Sequence, residues 1–457
     1  MKENVKRENK MGTAPMFRLI MSMSLPAIFS MTIQALYNVV DSIFLGRLSN
    51  DALTALSLAF PLQMLLVAVG VGTGVGINSL VSRRLGEKNF KDANDAATHG
   101  FLLSFASWFI FLIIGVFLTG PFFRMYNPTE IVLNYGIQYT TIVMTLSVFA
   151  LVEITIEKTL QATGNMIFPM FFQLTGAVTN IILDPLLIYG IGPFPRLEVI
   201  GAAVATVAGQ FLSMVFAITV LFVKSHDIKI SFKGFKINWI TVKNIYAVGF
   251  PSIIMQSIGS VMILGLNAIL ITFSEIAVSV LGVYYKLQSF IFMPVFGLNQ
   301  GVMPVIGYNY GARNKNRLYS ALKYGIIIAI TIMAIGTAVF WIFPEQLLSL
   351  FSSTGQADLQ EFINLGVKAF RIISLCFIPA AVGIMLTTLF QAVGKGLRSL
   401  FMSFLRQLVL ILPIAFLLSK IGLDYVWYAF PIAEIGSLAA GILFFINLTK
   451  GDFKKLR

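Results

Sequence analysis

The chain is poor in the residues that most often carry redox and metal chemistry. Its 457 residues include one cysteine and two histidines, and only 12% of them are charged. The single Cys376 cannot form a disulfide within the chain, so we expect a buried, inert thiol. His99 and His226 have no other metal ligands beside them, and we expect both to be solvated in or near loops. A disulfide scaffold and a histidine or cysteine metal site are therefore disfavoured.

Motifs for nucleotide binding and nucleophilic catalysis are also missing. The chain has no P-loop, no nucleophile elbow and no dinucleotide fingerprint. The segment "GVGTGVG" (Gly70 to Gly76) is rich in glycine, but it lies inside an apolar run and predicts close helix packing. We therefore expect neither an enzyme nor a cofactor, and any active transport must draw its energy from an ion gradient.

Apolar residues, by contrast, are abundant, at 57% of the chain with a mean hydropathy of +0.85. Runs of roughly 20 apolar residues match the thickness of a bilayer core. They do not alternate as the strands of a membrane β-barrel would. The sequence therefore predicts an all-α polytopic membrane protein with twelve spans, at residues 17–45, 53–82, 96–120, 131–157, 166–190, 200–223, 246–272, 277–306, 320–343, 362–390, 399–419 and 425–447.

The basic residues are placed asymmetrically around these spans. Of 33 Lys and Arg, 25 fall at the two termini or in loops after even-numbered helices, and four fall in loops after odd-numbered helices. The positive-inside rule then predicts a protein of the cell membrane with both termini on the cytoplasmic side. The same bias accounts for the net charge of +13 without a nucleic-acid partner.

The chain repeats itself at an offset of 225 residues. Pro26 is matched by Pro251, Gly72 by Gly297, and "LQATG" at 160–164 by "FQAVG" at 390–394 with an offset of 230. Six helices separate the copies, which predicts two six-helix lobes related by a pseudo-two-fold axis along the membrane normal, as in secondary transporters. The predicted segments are a cytoplasmic N-terminal segment, the N-lobe, a cytoplasmic linker, the C-lobe and a cytoplasmic tail, at 1–16, 17–223, 224–245, 246–447 and 448–457.

Polar residues at one depth of the first lobe predict a cation site. Asp41, Asp184 and Thr206 lie on the order of 7–9 Å below the outer membrane boundary, counting 1.5 Å of rise per residue. Asn180 is four residues before Asp184 and shares its helix face. A carboxylate at this depth costs free energy, so it is a candidate for a functional role. Two carboxylates in one dry pocket need a shared proton or a cation such as Na⁺ between them. The bland alternative is that each group caps a kink or reaches the interface.

Further polar residues and prolines are candidates for a substrate cavity or a gate. On the first predicted helix, Gln34, Tyr37 and Asn38 accompany Asp41, and Gln210 accompanies Thr206. Pro26 bends the same helix and is a gating candidate, with Pro251 as its weaker counterpart. In the second lobe the candidates are Gln256 and a hypothetical ion pair, structural or substrate-facing, between Lys286 and Glu434.

The remaining intramembrane charges are expected to be solvated. Glu153, Glu157 and Lys158 fall near the cytoplasmic end of predicted helix 4, and of these Glu153 alone is a candidate for a functional role. Lys368, Arg371 and Arg406 can extend their charged ends toward the interface.

These features resemble the multidrug and toxic compound extrusion (MATE) family over residues 17–447. The resemblance rests on the two six-helix halves, the "NIILDP" motif on helix 5, "GAAVAT" (Gly201 to Thr206) on helix 6 and the paired "QAxG" motifs. It implies antiport, in which Na⁺ or H⁺ enters and a lipophilic, often cationic drug or metabolite leaves. In the DinF-like branch the coupling residues match Pro26, Asp41, Asn180, Asp184 and Thr206.

The second lobe departs from the NorM-like branch, which carries acidic residues on helices 7 and 10. Here helix 7 has Gln256 and no carboxylate, and helix 10 has Lys368 and Arg371 instead. We therefore expect all coupling to lie in the first lobe of a monomer embedded in lipid. A lipid-linked oligosaccharide flippase and a channel are the alternatives, and a count of basic residues lining the central cavity would separate flippase from exporter.

Overall fold

The computed structural model describes residues 9–224, 227–351 and 359–456; on the first spanning helix the side chains of residue 35 and of residues 37–43 and 45–47 lie outside the description. Within these described residues, eleven helices are long and apolar enough to cross a membrane, and a helix pair bent by 46° gives the twelfth when it is taken as one span. The prediction of an all-α membrane protein with twelve spans is confirmed. The spans are α1 Met16–Leu48, α2 Asn50–Gly86, α3 Phe90–Arg124, α4 Glu130–Thr145 with Val148–Ala162, α5 Ile167–Tyr189, α6 Glu198–Val223, α7 Trp239–Leu270, α8 Glu275–Gly311, α9 Lys315–Ile342, α10 Leu359–Ala392, α11 Gly396–Ser419 and α12 Ala429–Lys450.

Helix starts repeat between the two halves with the same offset as the sequence. Ser49 caps α2 and Ser274 caps α8, each accepting a hydrogen bond from a backbone N–H of the first turn. Asn89 and Asn314 cap α3 and α9 in the same way. Both cap pairs are 225 residues apart, so the duplication fixes helix boundaries as well as helix number.

Helix breaks repeat too. The bend of α4 falls between Thr145 and Val148, and α10 contains a 3₁₀ turn at Ser374–Cys376. With the offset of 230 these breaks are equivalent. Cys376 lies in this turn and is buried, as predicted.

The lobes, α1–α6 and α7–α12, meet through two equivalent crossings, α2 on α7 and α1 on α8. A Cβ atom on Gly72 would lie 2.8 Å from the backbone nitrogen of Ile253, and one on Gly297 would lie 2.6 Å from the Cα atom of Ile28. At the ends of α2 and α8, Cβ atoms on Gly86 and Gly311 would overlap backbone oxygens of the opposite helix. Small residues thus allow backbone-to-backbone contact along the pseudo-two-fold axis.

The segment before α1, residues 9–15, bridges the two lobes, and we call it the terminal strap. Asn9 donates to the backbone oxygen of Thr163 in the first lobe at 2.9 Å. The backbone oxygen of Met11 accepts from Asn309 and Arg317 of the second lobe, each at 3.1 Å. The strap therefore fastens the lobes at the end of the bundle where residues 9–15 and Phe453 lie, which we call the terminal end.

Replacing Arg317 with methionine is expected to loosen the strap. Arg317 Nη2 donates to the backbone oxygens of Met11 at 3.1 Å and of Ala14 at 2.8 Å. Loss of these charge-assisted bonds should speed hydrogen exchange of the strap amides by about tenfold. Arg124→Met, at an exposed arginine of the other end, is the control. Exchange that is equally slow in both variants would show that Arg317 does not hold the strap.

The prediction that His99 is solvated is wrong, because the connection between α6 and α7 covers it. Its ring is fully buried, Nε2 accepts a hydrogen bond from the backbone N–H of Asn238 at 2.8 Å, and Nδ1 lies 2.8 Å from the backbone oxygen of Asp95. Phe235 covers the ring with a centroid distance of 4.6 Å. The connecting segment folds back over α3, which a count of loop positions does not reveal. His226 lies outside the described residues.

Candidate functional site

The predicted cluster on α5 and α6 is assembled. The Asn180 amide, oriented to satisfy both of its neighbours, donates to Asp184 Oδ2 at 2.8 Å and accepts from the Thr206 hydroxyl at 3.2 Å. Asp184 is fully buried and Asn180 is 2% exposed. The three side chains offer the hard oxygen donors that suit a proton or Na⁺.

Glycines and a proline on the two helices position this cluster. A Cβ atom on Gly209 of α6 would lie 2.7 Å from the backbone oxygen of Gly176 on α5, so the two backbones touch one turn away from Asn180. Pro185 has no N–H, which leaves one carbonyl of the preceding turn without its helical donor. Close packing and a weakened helix therefore coincide at the "NIILDP" motif.

The residues predicted on α1 are only partly described. Asp41, Tyr37 and Asn38 are within α1, but their side chains lie outside the described residues. The Tyr189 hydroxyl at the end of α5 donates to the backbone oxygen of Phe44 at 2.6 Å, which holds α1 beside α5 at this level. Phe44 is three residues after Asp41 and Tyr189 is five residues after Asp184, so the backbone of Asp41 lies within about one helical turn of the level of Asp184.

A cavity of about 250 Å³, which we call the first-lobe cavity, lies beside the cluster. Its lining includes Gln34 of α1, Asn180 of α5, and Thr206 and Gln210 of α6. Four of the predicted residues thus share one cavity, and Asn180 and Thr206 belong to both the cavity and the Asp184 cluster. The oxygen of the Gln210 amide is buried and has no hydrogen-bond partner among the described residues.

The prediction that Glu157 and Lys158 are solvated is wrong. They are 3% and 5% exposed, and Lys158 Nζ donates to Glu157 at 2.8 Å and to Gln300 of the second lobe at 2.8 Å. Gln161 and Gln173 complete the network with bonds of 2.7 Å and 3.0 Å to the Glu157 carboxylate. The bend in α4 and the neighbouring α5 and α8 enclose charges that a helix-end count assigns to the interface.

Glu153 is also buried, at 8% exposure, and lines the first-lobe cavity with Glu157 and Lys158. Its Oε1 has no hydrogen-bond partner among the described residues. The sequence contains a signal for this network, because the spacing of Glu157, Lys158 and Gln161 places these polar side chains on one face of α4. Gln161 belongs to the repeated "QAxG" motif, and the matching glutamine of the second repeat is Gln391.

The two prolines lie at the lobe interface. Pro26 and Pro251 are each two residues before the isoleucines that contact Gly297 and Gly72, and Ser30 Oγ donates to the Pro26 oxygen at 3.0 Å. A bend at either proline would therefore move the surface on which the lobes meet.

The second-lobe candidates are not arranged as predicted. Glu434 accepts from Arg406 Nη1, at 3.3 Å to Oε2, and not from Lys286. Lys286 is exposed, with its ammonium 5.9 Å from the ring centroid of Phe351. Equal depth was the basis for pairing Lys286 with Glu434, but they point in different directions around the lobe. Gln256 reaches the first lobe, with its amide nitrogen 3.5 Å from the backbone oxygen of Ala68.

Comparisons with known proteins agree with this architecture. The MatE family model matches residues 26–186 and 251–417, one match in each half. A "Multidrug export protein MepA" of Staphylococcus haemolyticus is 27% identical and aligns over 92% of this chain and 90% of its own length. An "FAD transporter" of Shewanella oneidensis is also 27% identical, over 93% of each chain.

Solved structures match over nearly the whole length. A MATE crystal structure in complex with MaL6 has a TM-score of 0.92 at 26% identity, covering 98% of this chain and 100% of that one. An outward-facing multidrug resistance MATE transporter has a TM-score of 0.91 at 26% identity, covering 99% and 100%.

Proposed function

Since the chain belongs to the multidrug and toxic compound extrusion family of membrane transporters, we propose that it is a cation-coupled efflux antiporter for lipophilic, often cationic compounds. The coupling cation is H⁺ or Na⁺, bound at Asp41, Asn180, Asp184 and Thr206, as in the DinF-like branch. Multidrug export is the named activity of the relative from Staphylococcus haemolyticus, which supports this substrate class. We expect a monomer in the cell membrane with both termini in the cytoplasm.

One observation carries the proposal: the Asp184 cluster and the first-lobe cavity share Asn180 and Thr206. A cation that occupies the cluster recruits the amide and hydroxyl oxygens to itself. The same groups are then withdrawn from a compound in the cavity, so cation and compound compete for one set of donors. Competition of this kind is the minimal requirement for exchange.

Alternating access would use the contact between the lobes. In the described conformation the lobes touch at the terminal end, where the strap and the Gly86 and Gly311 crossings lie. Export requires this end to open toward the compound and close again. We propose that bending of α1 at Pro26 transmits cation binding to this contact.

The lining of the cavities favours an exporter over a flippase. Among the described lining residues of the first-lobe cavity and of a smaller second-lobe cavity, the basic ones are Lys158 and Arg406, and each lies beside a carboxylate. A pyrophosphate-linked lipid would require a groove lined by several basic residues, whereas each of these cavities has one.

Asp184→Asn and Asp41→Asn are expected to abolish coupling. Either change removes a carboxylate that must take up the cation, so gradient-driven dye efflux from proteoliposomes should fall by at least about tenfold. Na⁺ and pH gradients are imposed separately, and the gradient that drives wild-type efflux identifies the ion. Asp424→Asn, at a half-exposed carboxylate paired with Lys368, is the matched control.

Dye binding without a gradient separates coupling from misfolding, because a folded but uncoupled variant still binds the dye. Full gradient-driven efflux in both variants would remove these aspartates from the mechanism. A wild-type protein that moves no dye under either gradient would favour the flippase, and dye flux without any counter-ion would favour a channel.

A further inference from the structure

The second lobe contains a cavity of about 130 Å³ that is the pseudo-symmetric mate of the first-lobe cavity. The offsets of 225 and 230 place its lining residues Met255, Gly383 and Thr387 on Ser30, Glu153 and Glu157, which line the first-lobe cavity. Duplication has therefore produced two cavities in equivalent places, although only the first contains the predicted coupling cluster.

The side chains of the two cavities differ in charge. Where the first lobe has Glu153 and Glu157 on α4, the second has the neutral Gly383 and Thr387 on α10. Where the first lobe has Gly176 on α5, the second has Arg406 on α11. The first-lobe cavity is thus lined by Glu153, Glu157 and Lys158, with a formal charge of −1, whereas the second is lined by Arg406 and Glu434, with a formal charge of 0.

The accessible charge in this cavity is that of Arg406. Its side chain is 28% exposed, whereas that of its partner Glu434 is 8% exposed. Only Nη1 reaches Glu434, at 3.3 Å and 3.5 Å to the two carboxylate oxygens. A guanidinium has five N–H donors, so the Nε and Nη2 edge keeps the geometry that binds a carboxylate or phosphate with two hydrogen bonds.

The local backbone positions Arg406 for this purpose. Residues Leu405–Ile411 form a π-helical turn within α11, a distortion that is frequent at functional sites. On α10, Gly383 leaves space for the Glu434 carboxylate, since a Cβ atom there would lie 3.3 Å from Glu434 Oε1. Glu434 therefore holds the guanidinium of Arg406 in place through Nη1. The other residues that line the cavity include Asn299, Thr387, Ser403, Met255 and Phe296.

We propose that the second-lobe cavity binds an anionic group, a carboxylate or phosphate, of an amphipathic compound through Arg406. The inference rests on the proposed function in one respect, because it treats the compound as cargo of the exporter. It assigns the anionic part of such a compound to the second lobe, apart from the predicted cation site of the first lobe. A cation would have to displace Arg406 from a carboxylate that is already paired, and a cavity of about 130 Å³ admits the charged group but not the whole compound.

The test compares two rhodamine dyes that differ only in a free carboxylate and its methyl ester. Binding is measured by fluorescence anisotropy to the full chain in nanodiscs of phosphatidylcholine. Wild type is expected to bind the free acid about tenfold more tightly than the ester. Arg406→Gln with Glu434→Gln removes both charges without leaving a buried one unpaired, and should bind the two dyes alike.

Lys368→Gln with Asp424→Asn, which neutralises an exposed ion pair, is the matched control and should keep the preference for the acid. A preference for the acid that persists in the Arg406 and Glu434 double variant would overturn the proposal. Equal binding of both dyes by wild type would overturn it as well and leave a purely structural ion pair.

Two further measurements distinguish a lipid headgroup from a free compound as the occupant, and test the anion site separately from the proposed exporter function. If phosphatidylglycerol in the nanodiscs weakens acid-dye binding to wild type but not to the double variant, the anion site stands and the headgroup of an anionic lipid is its occupant. Efflux of the ester dye tests the proposed function independently. Its failure would refute the exporter, while the binding contrast still decides the anion site.

Discussion

Replacing Lys158 with methionine is expected to destabilise the protein by about 3–5 kcal/mol, because the change leaves a buried carboxylate without its counter-charge. Lys158 donates to Glu157 at 2.8 Å, and Glu157 is 3% exposed. The change also removes the bond of 2.8 Å to Gln300, which joins the lobes. The measurement is the midpoint of thermal unfolding of the purified protein in detergent.

Lys368→Met is the matched control. Lys368 pairs with Asp424 at a similar distance of 2.7 Å, but its side chain is 58% exposed. We therefore expect this variant to lose less than about 1 kcal/mol of stability. Adding Glu157→Gln to Lys158→Met should restore much of the lost stability. Equal midpoints for Lys158→Met and Lys368→Met would show that the buried network contributes no more than a surface pair.

Replacing Gly311 with valine is expected to force the lobes apart at the terminal end. A Cβ atom on Gly311 would overlap the backbone oxygen of Arg83, and backbone cannot move aside as a flexible side chain can. We expect the ends of α2 and α8 to separate by on the order of 3 Å and transport to fall by about tenfold. Gly282→Val is the control, since a Cβ atom there meets nothing within 4 Å.

The separation can be measured between spin labels at Lys91→Cys and Asn316→Cys, which are exposed and related by the offset of 225. Cys376 is buried and can stay in place. Unchanged label distances and full transport in Gly311→Val would mean that the crossing is not a tight contact in the membrane.

The helices and their duplication could be predicted from the sequence because both are one-dimensional signals. Runs of apolar residues have the length of a bilayer, and the matches at an offset of 225 need no knowledge of packing. The pairing of Asn180 with Asp184 was equally local, since residues four apart share a helix face.

The failures at Lys286, Glu157 and Lys158 share one cause, which is that depth along a helix does not determine direction around it. Lys286 and Glu434 lie at similar depth, yet Glu434 contacts Arg406. Glu157 and Lys158 lie near a helix end, yet neighbouring helices bury them. Such contacts depend on how neighbouring helices are rotated and bent, and hydropathy does not report rotation.

The terminal strap also determines when the protein can be completed during synthesis. Met11 is made before its partner Asn309, which follows 298 residues later. At about 5–20 residues per second, a ribosome needs roughly 15–60 s to reach it. α1 faces the same delay, because its packing partner α8 belongs to the second half. The strap and α1 must therefore wait at the membrane until the second half has been made, exposed to chaperones and proteases, before the lobes can be joined.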